Sequence, residues 1–98
     1  MNTPHTHPRA NEILYLVSGQ MQAGFIEENG ARFVNNTLTP GQGTLFPQGS
    51  IHYQFNTGCE PALFVAALND EDPGTSQIAQ RCGFSPYSPV FSSLMSPL

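Results

Sequence analysis

Turn-forming residues divide this sequence into short segments, and this limits the elements into which it can fold. Nine glycines and nine prolines are spread over 98 residues, and both residue types interrupt helices and strands. The segments between them are rich in branched and aromatic side chains, a pattern typical of an all-β sandwich or barrel. The sequence predicts strands at residues 12–17, 21–27, 31–38, 44–46, 51–56 and 62–68.

Two of these segments carry finer signals. Asn29-Gly30 predicts a hairpin between the second and third strands through a type I′ turn, in which both central residues have positive φ. Residues 51–56 alternate between apolar and polar side chains, as a strand with two different faces does. The apolar set is Ile51, Tyr53 and Phe55, and the polar set is His52, Gln54 and Asn56.

The chain is expected to form one domain at residues 1–84, followed by an irregular tail rich in proline and serine at residues 85–98. Within the domain, residues 75–81 are predicted to form a short helix. A closed double-sheet roll has about eight strands, and only six are predicted here. We therefore expect either a minimal barrel or the C-terminal part of a longer secreted chain that supplies further N-terminal strands.

Composition excludes several classes of function. The chain has three basic residues, all arginine, and a net charge of −4. Nucleic-acid binding needs clustered Lys and Arg, so no nucleic-acid partner is expected. The longest apolar run, residues 62–68, is too short to cross a bilayer, so no membrane span is expected either. The N-terminus as written lacks the basic and apolar regions of a signal peptide.

Two features of the sequence leave alternatives open. Cys59 and Cys82 allow one disulfide or two unpaired thiols. We favour unpaired thiols, because cysteine often behaves as a small buried apolar residue. The tripeptide Asn35-Asn36-Thr37 is an N-glycosylation sequon, which matters only in a secreted protein.

All three histidines fall into one pattern with a glutamate. His5 and His7 are two residues apart, so their side chains point the same way on an extended chain. Glu12 follows at an odd spacing, but Pro8 marks an interruption or bulge that can turn the carboxylate back toward the histidines. His52 lies on the polar face of its strand. If that face points inward, the four side chains converge into a ligand set that suits Mn, Fe, Ni or Zn.

The same residues resemble the two motifs of the cupin family. The first motif reads His5-x-His7-x4-Glu12-x6-Gly19, and the second reads Gly43-x3-Pro47-x-Gly49-x2-His52-x3-Asn56. Residues 5–12 and 46–56, together with 59–62 and 69–75, are similar to germin-like proteins, especially to the spherulin-like branch of fungi and slime moulds. The resemblance covers about residues 2–80.

This resemblance implies a cupin jelly-roll β-barrel, complete or lacking its N-terminal part. It implies Mn(II) as the metal, with His5, His7, Glu12 and His52 as its ligands, and Asn2 as a catalytic residue that helps to hold oxalate beside it. Such a protein is either an oxidoreductase of the oxalate oxidase or superoxide dismutase type, or a non-catalytic metal-binding protein of storage, the cell wall or stress. In the first case a small dicarboxylate such as oxalate and O₂ are its substrates.

The resemblance also implies secretion and, for the full-length family form, a homo-oligomer. A separate observation favours assembly. Residues 13–17 are apolar on both faces, so one face needs the barrel interior and the other needs a second layer or a neighbouring subunit.

Overall fold

The computed structural model describes residues 2–82, and strands dominate that range. The strands are β1 (Asn2–Thr6), β2 (Glu12–Ser18), β3 (Met21–Ile26), β4 (Val34–Leu38), β5 (Gly43–Phe46), β6 (Ile51–Asn56), β7 (Leu63–Leu68) and β8 (Ser76–Gln77), and the helix is α1 (Ile78–Arg81). The all-β prediction with a short C-terminal helix is therefore confirmed. The domain boundary at residue 84 and the tail at residues 85–98 lie outside the described residues.

The strands form two antiparallel sheets. The five-stranded sheet has the order β4-β3-β6-β1-β8, and the three-stranded sheet has the order β5-β2-β7. Side chains from both sheets meet between them to form the apolar core, which consists of Leu14, Leu16, Met21, Ala23, Leu38 and Phe46. Within the described residues the two sheets are not closed into a barrel.

Strands β1 and β8 were not predicted from the sequence. In β1, Asn2 pairs with Gln54 and His5 pairs with His52, so the register shifts by one residue between them. Pro4 lies at this shift. The regular hydrogen-bond ladder between the strands is already interrupted there, so the N–H that proline lacks is not missed. Strand β8 takes two residues of the predicted helix, because Gln77 pairs with His5 on the free side of β1.

The β3–β4 hairpin is present, but the predicted type I′ turn is wrong. The Ala31 N–H donates to the Glu28 carbonyl over 3.1 Å, and Gly30 has a φ of 83°. No described non-glycine residue has a positive φ, and this includes Asn29. One positive φ at the third position is typical of a type II turn. Strand β3 ends at Ile26 and β4 begins only at Val34, so the loop between them is longer than predicted. A longer loop does not need the turn that a two-residue loop favours.

The prediction of unpaired thiols is confirmed within the described residues, since Cys59 and Cys82 are both free. Both are exposed rather than buried, because each lies outside the strands that enclose the core. None of the helices at residues 2–82 has the length and apolar character needed to cross a membrane.

Candidate metal centre

Three imidazoles and one carboxylate come together between the two sheets. His5 lies on β1 and His7 just beyond it, Glu12 begins β2, and His52 lies on β6. One donor atom from each side chain can be chosen so that all four lie within 4.8 Å of one another. Such a cluster could hold a metal ion.

Glu12 reaches the histidines from the opposite sheet. The segment of residues 7–11 connects β1 of the five-stranded sheet to β2 of the three-stranded sheet. The interruption predicted at Pro8 is therefore a crossing between sheets rather than a bulge within one strand. This explains how an odd spacing from His7 still lets the carboxylate face the imidazoles.

The polar face of β6 is the buried one. His52 and Gln54 are 2% and 3% exposed, whereas Ile51 and Phe55 on the other face are 39% and 41% exposed. The Phe46 ring stacks on the His52 ring, with the ring centroids 4.3 Å apart and the planes inclined by 19°. The imidazole thus rests on the apolar core, which fixes its plane and keeps water from that side.

Each imidazole is oriented by a backbone carbonyl at its Nδ1 atom. The distances are 2.7 Å from His5 to the Thr3 oxygen, 2.6 Å from His7 to the Gly74 oxygen and 3.1 Å from His52 to the Ser50 oxygen. A carbonyl oxygen only accepts hydrogen bonds, so each Nδ1 carries the proton that it donates. In the neutral ring this leaves Nε2 with a free lone pair, which is the form of histidine that binds metals.

The free nitrogens face the Glu12 carboxylate. Its Oε2 atom lies 2.9 Å from Nε2 of His52 and 3.2 Å from Nε2 of His7. Two neutral imidazole lone pairs and a carboxylate oxygen repel one another at these distances unless a cation lies among them. An extra proton on one ring meets this need, and so does a divalent metal ion. Because nitrogen and carboxylate donors together suit divalent transition metals, the residues fit a metal.

Burial and charge lower the pKa values of two of the donors, His5 and Glu12. Burial lowers the pKa of His5, and the charges of His52 and His7 act in the same direction, although the hydrogen bond to Thr3 opposes them. Burial raises the pKa of the Glu12 carboxyl, but the hydrogen bond with His52 and the charges of the histidines outweigh it, so the pKa lies below its ordinary value. Neutral imidazole and ionised carboxylate are the states that a metal requires.

The loop after β7 supports His7 from outside the site. Gly74 accepts the His7 hydrogen bond, and the Arg9 side chain holds the same loop at Asp72. The Arg9 Nε atom donates to the Asp72 backbone oxygen over 2.7 Å, and Nη2 lies 3.2 Å from its Oδ1 atom. On the other side, the Gly49 N–H donates to the His7 backbone oxygen over 3.1 Å. His7 is thus positioned by two loops that come from different parts of the chain.

Asn2 lies further along β1, in register with Gln54 rather than with His52. Side chains directly opposite one another share a face of the sheet, so the register shift places Asn2 on the same face as His5, where Asn2 is exposed and His5 is buried. Asn2, Gln54 and Asn56 line a cavity of about 190 Å³ together with Met21 of the core and the exposed Phe64. From β6 this cavity takes the residues that follow His52 toward the end of the strand, at positions 54–56.

Gln54 is a further site candidate, which was not predicted from the sequence. It is buried, and within the described residues its Oε1 atom has no hydrogen-bond partner. A buried amide oxygen without a partner is costly, so a ligand or water that bonds to it is expected. Its position two residues after His52, on the same face, was the available signal.

The sequence of this chain matches a known protein family and individual members of it. A family model described as Cupin matches residues 1–91. Spherulin-1A of Physarum polycephalum is 56% identical over 79 residues, which cover 81% of this chain and 32% of that protein. Germin-like protein 1-3 of Oryza sativa subsp. japonica is 44% identical over 79 residues, which cover 81% of this chain and 35% of that protein. The chain thus spans about a third of the length of these relatives.

The fold is also similar to solved structures. A structure described as giving insights into the mechanism of oxalate oxidase superimposes with a TM-score of 0.82 and 28% identity, and covers 96% of this chain and 49% of the other. An oxalate decarboxylase of Bacillus subtilis superimposes with a TM-score of 0.78 at 21% identity, over 96% of this chain and 24% of the other. The second likeness concerns the fold alone.

Proposed function

The chain belongs to the cupin family, and we propose that it is a germin-like protein that holds Mn(II) with His5, His7, Glu12 and His52. The observation that carries this proposal is the convergence of four donor atoms within 4.8 Å. The Nδ1 atom of each imidazole donates a hydrogen bond to a backbone carbonyl. The Nε2 atom is therefore the one available to bind the metal. A bound Mn(II) would supply Lewis acidity and one-electron redox chemistry at this point.

The proposed reaction is the oxidation of a small dicarboxylate such as oxalate by O₂. Conversion of oxalate to two CO₂ releases two electrons, and these reduce O₂ to H₂O₂ with uptake of two protons. In this scheme the Asn2 amide donates to a substrate carboxylate. The Gln54 amide can present either its oxygen or its NH₂ group after rotation, so it can hold the substrate in the same way. The Phe46 ring excludes water from the buried side of His52.

Three observations support this reaction. The similarity to an oxalate oxidase extends over 96% of the chain. A cavity of about 190 Å³ is lined by Asn2 and by Gln54, which follows His52 by two residues on β6. Gln54 Oε1 lacks a partner among the described residues, which leaves it available to a bound molecule.

The experiment has two stages on one preparation. The purified chain is dialysed against equal concentrations of Mn(II), Fe(II), Ni(II) and Zn(II), and bound metal is measured by mass spectrometry. The Mn(II) form is then supplied with oxalate, and H₂O₂ is measured. We expect about one Mn(II) per chain, peroxide release with oxalate, and neither result with Glu12→Gln. A chain that retains no metal would overturn the proposal.

A second candidate function is a non-catalytic metal-binding protein of storage, the cell wall or stress. It is favoured by the higher identity to Spherulin-1A, 56%, than to the oxalate oxidase structure, 28%, since the name of the former states no reaction. Bound metal without peroxide release would favour this candidate. The resemblance to germin-like proteins also implies a superoxide dismutase activity. This activity is tested by measuring superoxide consumption by the same Mn(II) form.

For localisation we propose the extracellular space. The support is the similarity to germin-like proteins, and the sequon at residues 35–37 agrees with passage through a secretory compartment. Homo-oligomer formation is proposed as well and is argued below from the exposed apolar face of the smaller sheet.

A further inference from the structure

An aromatic side chain lies across the outward face of the larger sheet. Met21 and Ala23 of β3 belong to the core, and residues alternate between faces along a strand, so Gly24 faces outward. Tyr53 pairs with Gly24, and side chains directly opposite one another share a face. A Cβ atom added to Gly24 would be 2.5 Å from the Cε1 atom of Tyr53. The ring therefore leans over β3 and lies along the sheet, and the absence of a side chain at Gly24 makes room for it.

A second ring extends this surface toward the edge of the sheet. Phe33 immediately precedes β4. Its ring plane is inclined by only 9° to that of Tyr53, and the two centroids are 6.1 Å apart, which is typical of an offset pair. Phe33 remains 50% exposed. The rings of Phe33 and Tyr53 thus form an aromatic platform with more uncovered ring face than one ring would offer.

Uncharged side chains surround the aromatic platform. Strands β3, β4 and β6 contain no Asp, Glu, Lys or Arg. Their register places amide and hydroxyl groups beside apolar side chains across the outward face. The neighbours of the two rings on this face are Gln22, Ile26, Asn35, Thr37, Ile51 and Phe55. The surface combines ring faces with hydrogen-bonding groups and carries no charge on its strands.

These properties match a neutral polysaccharide better than a nucleic acid or a lipid surface. The C–H groups on one face of a pyranose carry partial positive charge, and the faces of aromatic rings are electron-rich, so the two attract one another while water leaves both. The sugar hydroxyls lie at the rim of the pyranose, where amide groups can bond to them. A nucleic acid or an anionic membrane would also need clustered Lys and Arg for its phosphates.

We propose that this face binds a β-linked glucan, with one glucose unit stacked on Tyr53 and a neighbouring unit on Phe33. A cellulose-type chain is a flat ribbon, so its units can lie on two offset rings whose planes are nearly parallel. An α-linked chain of the amylose type coils and does not lay successive units on one flat surface. Aromatic rings that are already held in place lose little conformational entropy on binding. Because His52 faces the other side of β6, the proposal is independent of the metal site.

The ligand class is tested by isothermal titration calorimetry of the purified full chain with cellohexaose and with maltohexaose. We expect cellohexaose to bind, and maltohexaose to bind about 10-fold more weakly or less, because only one of its units can stack at a time. Equal affinities for the two oligosaccharides would overturn the proposal. Failure of cellohexaose to bind would also overturn it and would leave another protein as the occupant of this face.

Variants test whether the aromatic platform is the binding surface. Phe33→Ala removes the more exposed ring and should weaken cellohexaose binding about 10-fold. Gly24→Ala keeps both rings, but its Cβ atom forces the Tyr53 ring to move, so affinity should fall as well. Leu63→Ala shortens a side chain of similar exposure, 59%, on the smaller sheet and is the matched control with unchanged affinity.

Circular dichroism shows that each variant is folded before its affinity is compared. Unchanged affinity in folded Phe33→Ala or Gly24→Ala would overturn the proposal. An equal loss of affinity in Leu63→Ala would overturn it too, because the binding surface would then not be the aromatic platform.

Discussion

Each imidazole of the site uses one ring nitrogen to bond the protein backbone and leaves the other for a ligand. The carbonyls of Thr3, Gly74 and Ser50 select this tautomer. The clustering of His5, His7, Glu12 and His52 could be anticipated from the spacing of the two motifs and their resemblance to cupins. The carbonyl partners could not be predicted, because they depend on where separate loops come to rest.

Glu12→Gln and His52→Ala are expected to remove most bound metal. Each loses a donor atom at the centre of the cluster, where loss of even an outer partner typically weakens metal affinity about 10–100-fold. Asn2→Ala should keep its metal, because Asn2 is in register with Gln54 and not with His52, and should lower only the oxidation of oxalate. Metal titration of the three variants checks this, and equal loss of affinity in all three would contradict the role given to Asn2.

Arg9→Ala is expected to weaken metal affinity about 10-fold or more, although Arg9 is not a ligand. The Arg9 side chain holds the loop whose Gly74 carbonyl orients His7. Arg32→Ala removes the same charge from the loop before β4 and serves as the matched control. Affinities are measured by Mn(II) titration, with histidine nitrogen NMR on the Zn(II) form to report the His7 tautomer. Equal affinities in the two variants would argue against a positioning role for Arg9.

At the scale of elements, the positions of the turns could be predicted from the sequence, but the backbone conformation within a turn could not. Every segment predicted as a strand is a strand in the structure, since alternation and turn residues are local signals. Strand β1 was missed because Asn2, Thr3 and Pro4 have no strand pattern of their own. They are held in the sheet by pairing with β6, a contact between residues about fifty positions apart in the sequence.

Gly49 and Gly30 offer a matched test of what a turn contributes. Their φ values are 78° and 83°, and a Cβ at either position meets nothing within 4 Å. Alanine at each should therefore cost a similar conformational penalty of about 1–2 kcal/mol, measured by denaturant unfolding. Only Gly49→Ala should also weaken metal binding, because the Gly49 N–H supports His7. Unchanged metal affinity in Gly49→Ala would show that this turn does not position the site.

At the scale of the whole molecule, the site makes stability depend on pH. The pKa values of His5 and Glu12 are both lowered from ordinary values of 6.5 and 4.5. The unfolded chain therefore binds more protons than the folded chain as the pH falls below about 6.5, and acid favours unfolding. The stabilisation is complete above that pH and is lost as the pH falls through the lowered values.

The metal-free chain should accordingly show a falling urea midpoint between pH 7.5 and pH 4, with the lower part of the fall reduced in Glu12→Gln. Bound metal should leave over the same range, since protons compete for the donors. A midpoint that stays constant or rises on acidification would contradict the assigned protonation states.

Within residues 2–82, the outer face of the smaller sheet exposes several large apolar side chains. On it, Ile13, Leu45, Leu63 and Val65 are 52–60% exposed, and a groove of about 440 Å³ lies between Ile13, Leu45 and Ala67. A contiguous apolar patch of this kind marks an interaction site rather than ordinary surface. Because β2 contributes Leu14 and Leu16 to the core and Ile13 to this patch, both of its faces need cover.

We therefore expect the purified protein to be a homo-oligomer at micromolar concentration, joined through this face. Val65→Glu should shift the mass from light scattering toward the monomer, because an unpaired charge at an apolar interface is costly. Ile51→Glu places the same charge on the outer face of the larger sheet and should leave assembly unchanged. A wild-type monomer at micromolar concentration would contradict the prediction. Equal dissociation by both variants would show that the contact lies elsewhere and that the apolar face has another partner.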